Sequence, residues 1–331
     1  MKIDRNVELG PLTTFKIGGP ASYFVSVNNI EELREAFSFA EENNLSTFIL
    51  GGGSNILVAD EGFNGLVIHP VFCGITFNGN EVSAGAGESW DKLVLESVER
   101  GYYTLSNLSN IPGSVGAAPV QNIGAYGVSI GDFIENVEVF CPKEKKIKRV
   151  SNKDCKFSYR DSIFKNSGNN LVITKVKINL KENKPNLLYK DITNYFKENK
   201  NPTPKELRDA VISIRCKKFP DIKETGTAGS FFKNPIIKER KYIELKEKFP
   251  DLPCYKTDGK LVKIPIAYII ERLGFKGKND GAVGVYENHS LVLINNKNAT
   301  FKDVNRLSKK IIQDVKEKTG IEIEKEVTFV N

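Results

Sequence analysis

SNLSNIPGSVGAAPVQNIGAYG, residues 106–127, decides how the chain is read. Glycine or alanine fills seven of its positions, Pro112 and Pro119 interrupt it, Gln121 and Asn122 add amides, and Tyr126 is its one aromatic residue. A helix resists that load of glycine and proline, and a core strand calls for more β-branched side chains. The segment instead offers main-chain N–H groups that a ligand can approach closely, with amide side chains beside them. That is the chemistry of gripping a phosphate-bearing cofactor. The GGGSN run at 51–55 has the same character, and the two together outweigh a plain surface loop.

Upstream, Phe24–Val27 reads as a strand, and Asn29 caps a helix in which Ile30, Leu33, Phe37 and Ala40 recur at helical spacing. Phe48, Ile49 and Leu50 follow as a buried strand that runs straight into Gly51. This βαβ-like opening ends in a glycine turn, where α/β folds present backbone amides. Short strands are expected at Ile56–Val58, Leu66–Ile68, Ile75–Phe77 and Glu81–Ala84, and Ser89 caps a helix to about Glu99. Strands return at Val137–Phe140, Ile147–Val150 and Leu171–Ile178. The polar stretch Lys181–Pro204 reads as a boundary or an excursion, and a new α+β unit opens near Lys205. In that unit Leu207–Cys216, Ile264–Leu273 and Val304–Val315 are helical. Ser230–Lys233, His289–Ile294 and Ile321–Val330 are strand-like.

Composition narrows the class. A chain of 331 residues with 40% hydrophobic and 27% charged residues is an ordinary soluble protein of two or three domains. Its net charge of +7 comes largely from basic residues mixed with acids, as in Lys238–Lys248 and Lys309–Lys318. That fits a weakly basic enzyme with an anionic substrate better than a nucleic-acid binder. Cys73, Cys141, Cys155, Cys216 and Cys254 give an odd count with no close pair, hence neither a disulfide framework nor a CxxC metal site. His69 and His289, the only histidines, are too few for a zinc site or a well-stocked Ser-His triad. No apolar h-region opens the chain, and the longest apolar run, Ile264–Ile270, is too short to span a bilayer. A cytoplasmic address is expected.

The motif search is selective. Gly85 and Gly87 start a G-x-G-x-x-G pattern, but Trp90 occupies its third glycine position, so a Rossmann site is rejected. Ser54 misses a nucleophile elbow because Ile56 stands where the last glycine belongs, and no Walker A or HExxH sequence appears. The second half adds GTAGSFFKNP at 226–235, with Ser230 after a glycine-rich turn, and EIEKEVTFV near the end. Alternation there sets Glu322, Glu324 and Glu326 on one strand face. Upstream of both lies SYRDSIFK, with Tyr159 and Arg160.

In order and spacing, TTFKIGGPA at 13–21, GGGSN, the 106–127 run, SYRDSIFK, GTAGSFFKNP and the terminal EKEV resemble the UDP-N-acetylenolpyruvoylglucosamine reductase family (UDP-N-acetylmuramate dehydrogenases, MurB). The resemblance covers nearly the whole chain. It implies an α+β architecture: a two-lobed vanillyl-alcohol-oxidase-like (PCMH-type) FAD-binding domain plus a C-terminal α+β substrate-binding domain. The expected limits are 1–65 for the first FAD lobe, joined by a terminal strand at about 321–331. The second lobe spans 66–204, with a substrate lid at about 181–201, and the UDP-substrate domain spans 205–320. Tyr189 in LLYKD matches the tyrosine that caps substrate in the longer form of the family.

The same resemblance implies non-covalent FAD, its diphosphate on amides of Gly51, Gly52, Gly53, Ser54 and Asn55 and of the Ser114, Val115 and Gly116 turn. Asn122, Gly124, Tyr126 and Gly127 complete the cofactor set, and His69 is not an attachment point. NADPH first reduces the flavin and leaves; the enolpyruvyl ether of UDP-N-acetylglucosamine then takes the hydride at its vinyl carbon. Arg160 would stabilise the enolate-like charge, Ser230 would deliver the proton and Glu326 would support the intermediate. Tyr159, Tyr189, Arg215, Lys218, Asn234 and Lys276 would hold substrate, and the family's expected glutamine is replaced at Asn288 or His289. The implied setting is peptidoglycan precursor synthesis by a cytoplasmic monomer, without nucleic acid, metal or membrane insertion.

Overall fold

The spacing of Leu33, Phe37 and Ala40 is realised as the helix Ile30–Glu42 of the computed structural model, which describes residues 1–166, 171–181, 184–257 and 259–331. Asn29 caps it by accepting the Glu32 amide at 2.9 Å. Contacts divide the chain into two units. The first comprises Met1–Val7, Ala21–Gly53 and Asn64–Cys216, and the second Glu8–Pro20, Ser54–Phe63 and Lys217–Asn331. The cut runs through GGGSN, and the helix Pro204–Lys218 stays with the first unit as far as Cys216.

In the first unit, Leu33, Ala36, Phe37 and Ala40 of the helix pack on Val25, Val27, Leu66 and Ile68. Those four line a sheet of strand order Asp4–Glu8, Pro20–Val27, Phe63–Pro70, Ser46–Ile49. The pair Ser46–Ile49 and Phe63–Pro70 is parallel, and the Leu50 amide still reaches the Ile68 carbonyl at 2.9 Å. Gly51 therefore leaves directly from a sheet. A five-stranded antiparallel sheet follows, ordered Lys146–Ser151, Ile134–Cys141, Val172–Asn179, Glu81–Gly85, Ile75–Asn78. The helix Trp90–Glu99 packs in its core, and the buried Trp90 indole donates to the Leu108 carbonyl at 2.9 Å. That bond ties the helix to the 106–127 loop. Of the stretch 181–201, residues 182 and 183 lie outside the described residues; Lys190–Tyr195 is helical.

The second unit draws in two early segments because Phe15, Ile17 and Leu57 share one core with Phe231, Phe232, Ile264 and Ile311. The helix Phe301–Thr319 runs longer than its apolar spacing suggests. Thr300 and Asp303 form a capping box at its start, and left-handed Gly320 closes it. Ile56–Val58 pairs in parallel with Thr328–Val330, the only described strand at the terminus. The expected shared face of Glu322, Glu324 and Glu326 is corrected here: Glu322 and Glu324 are exposed, whereas Glu326 is buried beside Val327. The cause is a change of partner. Lys233 N donates to Glu324 O and Glu326 N to Phe231 O, and from Thr328 onward the chain pairs with Ile56–Val58. Two-residue alternation does not survive such a switch. Ser230–Lys233 is likewise no regular strand but makes single bridges, Ser230 to Val292 and Phe232 to Lys325. The expected strand His289–Ile294 is realised only as Leu293–Asn295. Among the described residues no helix is long and apolar enough to cross a membrane.

Candidate active site

Gly51 and Gly52 pass close against residues 113–117. A Cβ on Gly52 would lie 2.6 Å from Gly113 Cα and 3.0 Å from Ser114 N, and one on Gly116 2.6 Å from Ala86 Cβ. Gly53 is left-handed, with φ +60°. Among the described residues, the amides of Gly51, Gly52, Gly53 and Ser114 donate to no main-chain carbonyl. The other two amides expected in this turn are engaged: Val115 N donates to Glu88 O and Gly116 N to Ala86 O, both at 2.8 Å. They shape the turn, and Ser114 keeps the available donor. Uncommitted amides on two loops at backbone contact, without a cationic side chain, fit a cofactor diphosphate. Ser54 and Asn55 continue into the second unit.

Gly124–Ala125 and Val128–Ser129 form a tight hairpin whose two turn residues, Tyr126 and Gly127, have φ of +49° and +82°. Turn geometry thus explains Gly127. The Tyr126 carbonyl accepts from Asn107 Nδ2 at 3.2 Å, its hydroxyl accepts from Arg215, and its ring meets Tyr189 edge-on at 5.3 Å. Burial pushes the Tyr126 hydroxyl up to about 12, partly opposed by Arg215, so it stays protonated. Burial likewise lowers the Arg215 guanidinium from its usual value. A residue expected at the cofactor is thereby grouped with two expected at substrate.

Arg215 Nε donates to the Asn110 carbonyl at 3.1 Å, and the Asn110 amide donates to Asp91 at 2.5 Å. Asp91 also accepts both terminal nitrogens of the buried Arg208, at 2.8 and 2.7 Å. Burial alone would raise the Asp91 carboxyl, but the Arg208 fork and the Asn110 amide outweigh it and hold it below the usual range. Sequence reading missed this anchor and Asn107, whose side chain ties Tyr126 and the Asn186 carbonyl together. The one available signal was the two asparagines of SNLSN, residues able to bond main-chain groups and, at Asn110, to adopt φ +57°.

Arg160 occupies a two-residue turn between Ser158 and Asp161, which exchange main-chain bonds at 3.1 and 3.3 Å. Its φ is +56°, and its guanidinium donates to the Gly124 carbonyl at 2.8 Å and lies 5.7 Å from the Tyr159 ring centre. Asn122 is buried with φ +48°. Its side-chain amide accepts from Gly131 N at 2.8 Å and donates to Ser158 O at 3.0 Å. Both ends are engaged by the chain itself, and the Asn122 main-chain N–H donates to the Pro119 carbonyl at 3.1 Å.

In the second unit, Gly229 (φ +74°) turns the chain into Ser230, whose bridge to Val292 fixes its main chain. The Phe231 carbonyl next to it accepts the Glu326 amide, and the Glu326 carbonyl accepts Asn55 Nδ2 at 3.2 Å. Ser230, Glu326 and Asn55 are thus brought together. Asn234 Oδ1 accepts the amide of Ile266, the first residue of the helix Ile266–Arg272, at 3.0 Å. His289 stacks on Phe219 at 5.5 Å, and its Nδ1 accepts the Leu291 amide at 3.2 Å. Burial, then the Lys218 and Lys276 charges, push its pKa down to about 4, so the ring is neutral between two cations. Lys276 also pairs with Glu271 at 3.1 Å.

Comparison with known proteins assigns both ends of the chain. Residues 21–149 match an FAD binding domain, and residues 221–330 match the UDP-N-acetylenolpyruvoylglucosamine reductase C-terminal domain. The UDP-N-acetylenolpyruvoylglucosamine reductases of Flavobacterium johnsoniae and Dechloromonas aromatica are 39% and 37% identical, each covering 100% of both chains. The crystal structure of the reductase from Thermus caldophilus covers 100% of both chains at 25% identity with a TM-score of 0.72. With relatives matched end to end at this identity, the chain belongs to the UDP-N-acetylenolpyruvoylglucosamine reductase family, whose members are FAD-dependent oxidoreductases.

Proposed function

We propose that the protein reduces UDP-N-acetylglucosamine enolpyruvate to UDP-N-acetylmuramate through FAD, with NADPH as the electron donor, in peptidoglycan precursor synthesis. The observation that carries this reading is the end-to-end identity with reductases of that name. We further assign it to the cytoplasm, as a monomer acting on these small molecules.

The bound flavin supplies hydride transfer, taken from the pyridine nucleotide and given to the substrate's terminal vinyl carbon. The chain's residues do the rest. Amides of Gly51–Gly53 and Ser114 hold the diphosphate of the cofactor. Negative charge grows on the carbon and carboxylate next to the site of hydride attack, and Arg160 meets it with a planar fork. The Ser230 hydroxyl donates the proton that completes the lactyl ether. Glu326 supports the enolic charge as a protonated or hydrogen-bonded carboxyl, because a free carboxylate would raise the barrier. Arg215, Lys218 and Lys276 supply positive charge for the UDP diphosphate, with Asn234, His289, Tyr159 and Tyr189 as further substrate contacts. Tyr189, at the start of the helix Lys190–Tyr195, closes over the substrate.

One cuvette tests the reading. Anaerobic NADPH should bleach the yellow band of the purified holoenzyme, and the enolpyruvyl UDP-sugar should restore it. Bleaching without recovery assigns a different acceptor to the flavin. A colourless protein that takes up no FAD removes the reading at its root.

A further inference from the structure

We infer that Asn122 is a positioning residue for Arg160, an inference that rests on the role given to Arg160 above. Arg160 reaches its place through two connections to one loop. Its guanidinium bonds the Gly124 carbonyl at 2.8 Å, and the turn that carries its backbone is bonded at Ser158 by Asn122 Nδ2 at 3.0 Å. Gly124 lies two residues after Asn122, and Ser158 two residues before Arg160. A third tie is parallel: the buried Ser162 hydroxyl donates to Val120 O at 2.6 Å. The guanidinium and its own backbone are thereby referenced to the same short segment, residues 120–124.

The chemistry explains why this position holds an asparagine. The site needs an acceptor for Gly131 N and a donor for Ser158 O on one planar group, from a residue that tolerates φ +48°. Gly131 must be glycine for this approach, since a Cβ there would lie 2.9 Å from Asn122 Oδ1. Aspartate has the same shape and the same backbone tolerance, but it sets a second oxygen against the Ser158 carbonyl. Asn122→Asp therefore removes one bond and repels the turn without opening a cavity. Displacement of Arg160 by even a fraction of an ångström weakens stabilisation of charge that exists only in the transition state.

The test is a double-mutant cycle on the rate of flavin reoxidation by the enolpyruvyl UDP-sugar, normalised to bound FAD. Asn122→Asp should slow that step about 10- to 100-fold in the wild-type background, and by less than about twofold where Arg160→Ala has already removed the group it positions. Equal losses on both backgrounds would mean that Asn122 acts on structure at large, and no loss in the wild type would overturn the proposal outright. Failure of the underlying reading is separate, because Arg160→Ala alone would then retain full rate. Should Asn122→Asp not fold or retain FAD, Asn122→Gly, which keeps the positive φ and removes both side-chain bonds, carries the same cycle with the same criteria.

Discussion

The glycine loops of the first unit and the Ser230 segment of the second reach their geometry by different means. At Gly52 the backbone of another loop stands where a side chain would be, 2.6 Å from an added Cβ. At Gly229 no atom lies within 4 Å of that position, and the glycine is required only by its φ of +74°. At the glycine loops the first unit therefore exposes main chain at close approach, and the side chains of Asn107 and Asn122 act as ties. The second unit's proposed contacts are side chains: Ser230 stands on a bridge, Lys218 ends a helix, and Lys276 and His289 stand in turns. Main-chain sites are broken by adding atoms, and side-chain sites by removing them.

The largest expected effect follows from that difference. Gly52→Val should purify without bound FAD, because only backbone movement of 113–114 relieves the clash. Gly229→Ala, with room but the wrong dihedral, should cost only about 1–2 kcal/mol of stability and leave the protein yellow. Absorbance at the flavin band and a melting curve on both variants check the pair. A Gly52→Val protein with full FAD content would break the comparison.

The same distinction governs what was legible in the sequence. Glycine loops announce themselves by composition, so 51–53 and 106–127 were readable as loops of close backbone approach, and Ile30–Glu42 and Trp90–Glu99 were readable from cap and periodicity. Which amides remain available was not readable, since Val115 and Gly116 are engaged by Glu88 and Ala86, residues that only the fold brings close. Glu326 failed for a related reason: local alternation cannot foresee a change of partner between Phe231–Lys233 and Ile56–Val58. The Asp91–Arg208 anchor spans 117 positions and carries no local pattern at all.

Ser230→Ala comes next in size. Removal of a positioned proton donor typically costs about 10²–10⁴-fold in rate. The loss should fall on reoxidation by substrate, with NADPH bleaching unaffected by the missing hydroxyl. Stability should hardly change, because the bridge to Val292 is made by main chain. An unchanged reoxidation rate would remove Ser230 as the donor.

A smaller effect is expected at the cations. Lys218→Met or Lys276→Met should raise KM for the UDP-sugar about 10- to 100-fold, the worth of one charge-assisted contact, with kcat nearly kept. Steady-state kinetics at two salt concentrations decide this, since a charge contact weakens as salt rises and a packing contact does not. A fall in kcat at constant KM would move these lysines from substrate grip to the chemical step.

The smallest effect is a pH dependence carried by His289, which also tests whether the second unit's site depends on side-chain charge. In the unfolded chain the imidazole titrates near 6.5, whereas in the fold burial and the two lysines bring it to about 4. Between those values the unfolded chain binds a proton that the native one refuses, so stability rises with pH across that window. The contribution is complete above pH 6.5 and is lost as pH falls toward 4. His289→Gln should flatten the melting-temperature profile between about pH 4 and 6.5 and leave it unchanged above. Lys218→Met with His289 kept separates the causes. If the lysine charge matters, removing it lifts the histidine's titration toward 6.5 and narrows the window; if burial alone holds the ring neutral, the window stays as wide as before.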